Sequence, residues 1–116
     1  MTKIKDEEMA LELFERAAIE HVRSNENSDY KSANRNYDLI VKAVAFLKNR
    51  GEVGLLSKFL SHDSDGVRVW AAAYLLPIQE YDAVKVLDAI ANGPRGIQRL
   101  DAATTLSEWQ KGNLKL

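Results

Sequence analysis

The sequence predicts an all-α protein: three antiparallel helical hairpins, about six helices, stacked as a right-handed α-α superhelix in one domain over residues 1–116. Three observations predict it. Apolar residues recur at steps of three and four, and no segment shows the alternation of a half-buried strand. Only two prolines and six glycines occur, and most fall between the helical stretches. A segment also returns at an offset of 31 residues: Arg68, Ala71, Ala72 and Leu75 find Arg99, Ala102, Ala103 and Leu106, and upstream Leu56 and Phe59 find Leu87 and Ile90. A hairpin of this size cannot bury its apolar stripe alone, so repeated hairpins must stack.

The first helix spans about Asp6 to Val22, with Met9, Leu13, Phe14, Ala17, Ala18 and Val22 as its stripe. Asp6, Glu7 and Glu8 suit the positive end of its dipole. The polar run from Ser24 to Asp29 is a loop. The second helix spans about Lys31 to Lys48, its stripe is Tyr37, Ile40, Val41, Val44 and Leu47, and Gly51 ends it. The third is short, about Glu52 to Leu60. The fourth spans about Gly66 to Leu76, with Ser64 or Asp65 as N-cap and Pro77 at or just beyond its end. The fifth spans about Tyr81 to Ala91. Asn92-Gly93-Pro94-Arg95-Gly96 is the strongest turn signal, and the sixth helix follows from Ile97 to Lys111, with Gly112 after it. Alanines at 71, 72, 102 and 103 let helix backbones approach closely, while Leu75 and Leu106 fill the space beyond.

Composition narrows the function classes. Hydrophobic residues make up 46% and charged residues 28%, which fits a globular chain rather than a disordered one. The net charge of -1 steers the chain to neither nucleic acid nor anionic membrane. No cysteine is present, which removes thiolate chemistry and cysteine-bound zinc and fits a reducing compartment. The start of the chain is acidic and lacks a signal-peptide apolar run, and no apolar run is long enough to span a bilayer. The cytoplasm is the expected location. Charge is uneven along the chain: residues 1–30 are acidic on balance and residues 31–60 basic. Glu8, Glu12 and Glu15 share a helical spacing that serves either a solvated face or a basic partner.

No constellation carries chemistry, and no enzyme, cofactor or metal is expected. His62-Asp63 is an adjacent pair in a turn, where neighbouring side chains point apart, and no nucleophile accompanies it. His21 and His62 without cysteine make a poor metal set. Gly93-Pro94-Arg95-Gly96 lacks the lysine and hydroxyl of a phosphate loop; as a tight turn it needs no ligand, although Arg95 and Arg99 could assist a phosphate there. The basic residues from Lys31 to Lys58 lack one groove with stacking partners, so no direct nucleic-acid contact is expected. Trp70 and Tyr74 are the informative pair. With Val67, Ala71 and Leu75 inward, they turn to the flank or outer face, with the composition of an interface hot spot. The alternative is that Trp70 seals a joint between hairpins. Trp109 is expected to pack the end of the core.

Asp63, Asp65, Val67, Arg68, Ala71, Ala72 and Leu75 resemble a HEAT-type repeat, although 31 residues is shorter than the usual period. The resemblance implies a polar ladder between repeats built from Asp63 or Asp65 with Arg68 and, in the next repeat, Arg99. Asn34 with Asp38 and Leu39, then Arg50-Gly51-Glu52, Val67-Arg68 and Trp70-Ala71-Ala72, resemble a small bacterial family of HEAT-like domains of unknown function. The tail fits as well: Gly93-Pro94, Ala102, Thr105-Leu106, Glu108-Trp109 and Lys111-Gly112-Asn113-Leu114. At Asp101 the family pattern expects an aromatic or apolar residue. Such families look like immunity proteins of polymorphic toxin systems, including contact-dependent growth inhibition. The resemblance therefore implies a cognate protein toxin as partner, a nuclease domain among the candidates. Asp38, Asp101 and Glu108, or the acidic first helix, would then mimic phosphates against a basic cleft, with Trp70 and Tyr74 as anchors. The other reading is a general helical scaffold or adaptor for an unrelated protein.

Overall fold

In the computed structural model, residues 3–94 and 96–114 are described. They form five α-helices, α1 (Glu7–Glu26), α2 (Tyr30–Asn49), α3 (Asp65–Leu75), α4 (Glu80–Ala91) and α5 (Ile97–Gln110), and one 3-10 helix, η1 (Val53–Ser61). No strand occurs among the described residues. The fold is all-α. The chain packs as two compact units, one up to Leu55 and one from Leu56 onward.

The first unit is an α1–α2 hairpin. Asp6 caps α1, its carboxylate accepting from the Met9 amide at 2.8 Å, and Glu7 and Glu8 follow in the first turn. The helix outruns its predicted end at Val22 and closes as a Schellman motif. There the Ser28 amide donates to the Asn25 carbonyl (3.1 Å) and the Asp29 amide to that of Ser24 (2.8 Å). Ser28 sits at φ +57°, and Asp29 immediately caps α2 by accepting from the Ser32 amide at 3.1 Å. The loop read as Ser24 to Asp29 is thus three residues. The two helices pack through Ala10, Leu13, Phe14, Ala17 and Ala18 on α1 and Ala33, Ile40, Ala43, Val44 and Leu47 on α2, all buried. Tyr37 and Val41, assigned by period to the inner stripe, are instead 46% and 40% exposed. Alanines 33 and 43 take the seam and turn α2 so that the larger side chains lie outside it. Ser24 is buried, its hydroxyl donating to the Glu20 carbonyl (2.7 Å) and lying 2.9 Å from Ser32 Oγ.

The open end of this hairpin is clasped. Arg50, the C-cap of α2, pairs with Glu7 at the start of α1 (3.0 Å), and its guanidinium lies 4.4 Å from the Phe46 ring centroid. Gly51 follows at φ +68°, where its amide donates to Lys48 and that of Glu52 to Leu47, a second Schellman closure at the predicted glycine. The Glu7 backbone amide and then Arg50 hold the Glu7 carboxyl below the ordinary value of 4.5.

The third predicted helix is 3-10 rather than α. Val53, Leu56 and Phe59 recur every three residues, which matches three residues per turn; Leu56 and Phe59 are buried. Gly54 lowers α propensity in a segment of nine residues, too short to repay nucleation.

In the second unit, α3 packs against α4 and α5, and α4 against α5. Ser64, not Asp65, is the N-cap of α3, and the helix ends at Leu75 with Pro77 in the turn beyond. The α4–α5 pair is tied at both ends: Arg99 Nε donates to the Ala91 carbonyl (3.1 Å), and Trp109 Nε1 donates to Glu80 Oε2 (2.6 Å). Those ties join the start of one helix to the end of the other, so the pair is antiparallel. Gly112 at φ +75° closes α5, its amide donating to Trp109 and that of Asn113 to Glu108.

Two outcomes are expected. Ser28 carries the strain of a side chain in the left-handed region, about 1–2 kcal/mol. Ser28→Gly should therefore raise stability by roughly 0.5–1 kcal/mol in urea unfolding; a loss of stability would contradict the Schellman geometry at this joint. The Glu7 carboxyl is held low in the folded chain, so its contribution is fully present above the unfolded value near 4.5 and is lost as pH falls through the lower folded value. In Arg50→Gln the Glu7 side chain, followed by NMR, should titrate closer to 4.5 while staying below it, because its backbone partner remains.

Candidate functional surface

The surface around α3 begins in the turn before it. His62 Nδ1 accepts from the Ser64 amide at 2.9 Å, and the imidazole lies 6.1 Å from the Phe59 ring, centroid to centroid. The nitrogen that an orienting carboxylate would use is therefore engaged in holding the turn, and Asp63 beside it is exposed. Ser64 Oγ accepts from the Val67 amide (3.4 Å), and the Arg68 amide donates to the Ser64 carbonyl (3.1 Å), which starts the helix at Asp65. From there the helical period sends Val67, Ala71, Ala72 and Leu75 inward, all fully buried, with Val69 and Leu76 also buried. Trp70, Ala73 and Tyr74 are half-buried, with Tyr74, seven residues on from Val67, at the flank of the buried face. Trp70 and Tyr74, one turn apart, stack with ring centroids 6.4 Å apart and planes inclined by 18°.

Of the ladder residues, Arg68 pairs through Nη2 with Asp65 on its own helix, while its Nε is buried without a hydrogen-bond partner. Arg99 is exposed and bonds the end of α4. Asp38 lies exposed on α2, in the first unit. Asp101 is exposed in the second turn of α5, and Glu108 is half-buried near its end. These two are seven residues apart, so they share a helix face about 10 Å apart along the axis. Arg95 of the turn before α5 lies outside the described residues. Among the described residues, no group of three or more His, Asp or Glu is placed to hold a metal ion, and no helix is long and apolar enough to cross a membrane.

The 31-residue repeat is structural as well as sequential. Ala71 and Ala102 are both fully buried, as are Leu56 and Leu87, and Phe59 and Ile90 are buried too. It weakens along α5. Ala72 and Leu75 are fully buried, whereas Ala103 is exposed and Leu106 only half-buried. Leu100, the counterpart of buried Val69, is 68% exposed. No side chain caps the start of α5, and Ala102 is its buried residue among those described. The repeat thus matches α5 to α3 in position but not in enclosure.

Sequence reasoning missed two features of this surface. The Trp109–Glu80 bond could have been sought by asking where a half-buried indole N–H finds its acceptor. Exposed Tyr81, with Glu80, Val84 and Lys85, lines an open depression on α4, and exposed Ile78 sits in the turn before it; the sequence pattern places Tyr81 at the start of the fifth helix and Ile78 between helices, and gives neither a role.

No family model and no curated protein matches the chain. The crystal structure of the protein RPA1889 from Rhodopseudomonas palustris CGA009 is similar in fold: TM-score 0.89, 22% identity, 98% of this chain and 99% of that one covered.

The repeat comparison sets a stability test. Leu75→Ala opens a cavity in a sealed site and should cost about 2–5 kcal/mol, while Leu106→Ala at the half-buried counterpart should cost roughly 1 kcal/mol. Equal losses in chemical denaturation would mean that α5 is enclosed as fully as α3.

Proposed function

We propose that the protein is an immunity protein that binds a cognate toxin domain in the cytoplasm and blocks its active site or substrate path. The supporting observation is the Trp70–Tyr74 stack on a helix that buries Val67, Val69, Ala71, Ala72 and Leu75. Two large amphipathic rings held against each other by a rigid helix lose little entropy on binding, and such residues dominate interface energetics. The exposed Asp101 and half-buried Glu108 on the packed neighbour α5 add negative charge that a basic nuclease cleft would meet. Inhibition is then steric and electrostatic and needs no group with a perturbed protonation state. The resemblance of residues 34–39, 50–52 and 67–72 to HEAT-like domains that look like immunity proteins points the same way.

The test is co-expression with the C-terminal domain encoded immediately upstream, scored for survival and co-purification. Rescue from an otherwise lethal domain, with a stable complex, supports the proposal. Toxicity without rescue, or no toxicity, refutes it and favours the scaffold reading. Within a complex so obtained, Trp70→Ala should weaken binding by about 2 kcal/mol or more, measured by calorimetry on protein whose circular dichroism and melting are unchanged. Unchanged affinity would remove Trp70 as the anchor.

A further inference from the structure

We propose that Asn92 is a site of covalent self-modification: its side-chain amide is lost to attack by the Gly93 backbone nitrogen, at a rate set by opening of the turn between α4 and α5, and the product loosens that turn. The proposal stands apart from the partner-binding reading. Asn92–Gly93 is the one asparagine–glycine pair in the sequence. Glycine has no side chain to hinder its nitrogen, so this pair closes to a succinimide more readily than other asparagine dipeptides. The fold nonetheless favours glycine here. A Cβ at Gly93 would lie 3.3 Å from the Ala89 carbonyl oxygen and 3.4 Å from that of Ile90, crowding the end of α4.

The same turn holds the pair in an unreactive arrangement. Asn92 is exposed and caps α4 at φ -98° and ψ 6°, which turns the Gly93 nitrogen away from the Asn92 side-chain carbonyl. The Gly93 amide donates to the Ile90 carbonyl at 3.1 Å, a bond that ring closure has to break. Asn92 Nδ2 donates to the Asp88 carbonyl (2.9 Å) and to Asp88 Oδ1 (3.1 Å), which draws the amide back along α4. Reaction therefore waits on local opening. Arg99 Nε controls that opening from α5, since it donates to the carbonyl of Ala91, the residue before Asn92.

Once the turn opens, the Gly93 nitrogen bonds to Asn92 Cγ and its proton passes through water to the leaving nitrogen. The Cγ–Nδ2 bond breaks and ammonia departs. Water then opens the ring at either carbonyl, which leaves aspartate or isoaspartate. Both products replace the N–H donors that faced Asp88 by a carboxylate. Two carboxylates one turn apart at a helix C-terminus repel each other and oppose the helix dipole. Isoaspartate also inserts a methylene into the main chain beside Gly93, where the backbone is already close to α4. The Ala91 carbonyl loses its fixed position, and with it goes the bond to Arg99 near the start of α5, a helix with no side-chain cap of its own. The change runs one way, so it releases the α4–α5 junction as the protein ages.

The experiment ages the full chain in neutral buffer, native and in urea, and follows each asparagine by peptide mass mapping. Asn92 should be the first to change in urea, and its native rate should be about tenfold or more lower, because several hydrogen bonds must open first. Arg99→Ala removes the tie from an exposed position and should raise the native rate about threefold or more, with circular dichroism unchanged. Asn92→Asp supplies one product directly. In that variant, hydrogen exchange at the Gly93 and Leu100 amides should quicken about threefold or more, while the amides of α1 and α2 keep their rates. Earlier change at another asparagine in urea would overturn the site. Equal rates in native protein and urea, or an unchanged rate in Arg99→Ala, would overturn the gate. Unchanged exchange in Asn92→Asp would overturn the loosening.

Discussion

Close approach of helix backbones across alanine seams constrains everything else in this protein. Ala10, Ala17, Ala18, Ala33, Ala43, Ala71, Ala72, Ala83 and Ala102 are all buried, alongside a smaller set of large side chains led by Phe14, Ile40, Leu47, Leu56, Leu75 and Leu87. A seam lined by methyl groups brings two helices together and leaves little room between them for large side chains. Phe14 and Phe59 are enclosed, whereas none of the four tyrosines and neither tryptophan is. The thin core thus pushes its amphipathic aromatics to the edges, where each needs a polar or aromatic neighbour. Trp109 finds Glu80, and Trp70 finds Tyr74. The surface proposed to bind a partner follows from how the core is filled.

Much of the fold was legible because local chemistry announces helix ends. Asp6, Ser64, Gly51 and Gly112 each carry out the capping role their residue type implies, and the α3 to α5 boundaries fall within a residue of expectation. The departures have physical causes. At the α1–α2 joint a serine takes the left-handed position that glycine usually fills, so a compact closure looked like a longer polar loop. At η1, apolar residues spaced by three satisfy both an α and a 3-10 reading, and short length with Gly54 decides for the latter. On α2 the period found the helix but misjudged its rotation. Tyr37 and Val41 outweigh Ala33 and Ala43 in hydrophobicity, yet the smaller side chains sit at the seam.

The candidate surface was legible in part. The place of Trp70 and Tyr74 at the flank of the stripe formed by Val67, Ala71 and Leu75 follows from the helical period. Their mutual stacking does not, because it depends on rotamers. Arg68 shows the limit of a motif: the same Asp–Arg pair that suggests a ladder between repeats closes within one turn of α3 through Nη2 and Asp65. Sequence places two opposite charges three residues apart and cannot say whether they look at each other or outward.

Asp101 ties the two levels together. An aromatic or apolar residue there would repeat the chemistry of Trp70 at its counterpart position on α5. An aspartate at the same position leaves the packing of α5 intact, because the helix already points this side outward, while Ala102 next to it goes inward. The cost of the acid to packing is therefore small. A partner that covers a carboxylate without keeping it paired leaves a desolvated charge, which is expensive to bury. Under the proposed function, the acid on the less enclosed of the two helices therefore favours a basic partner, and Trp70 and Tyr74 supply contact area on α3.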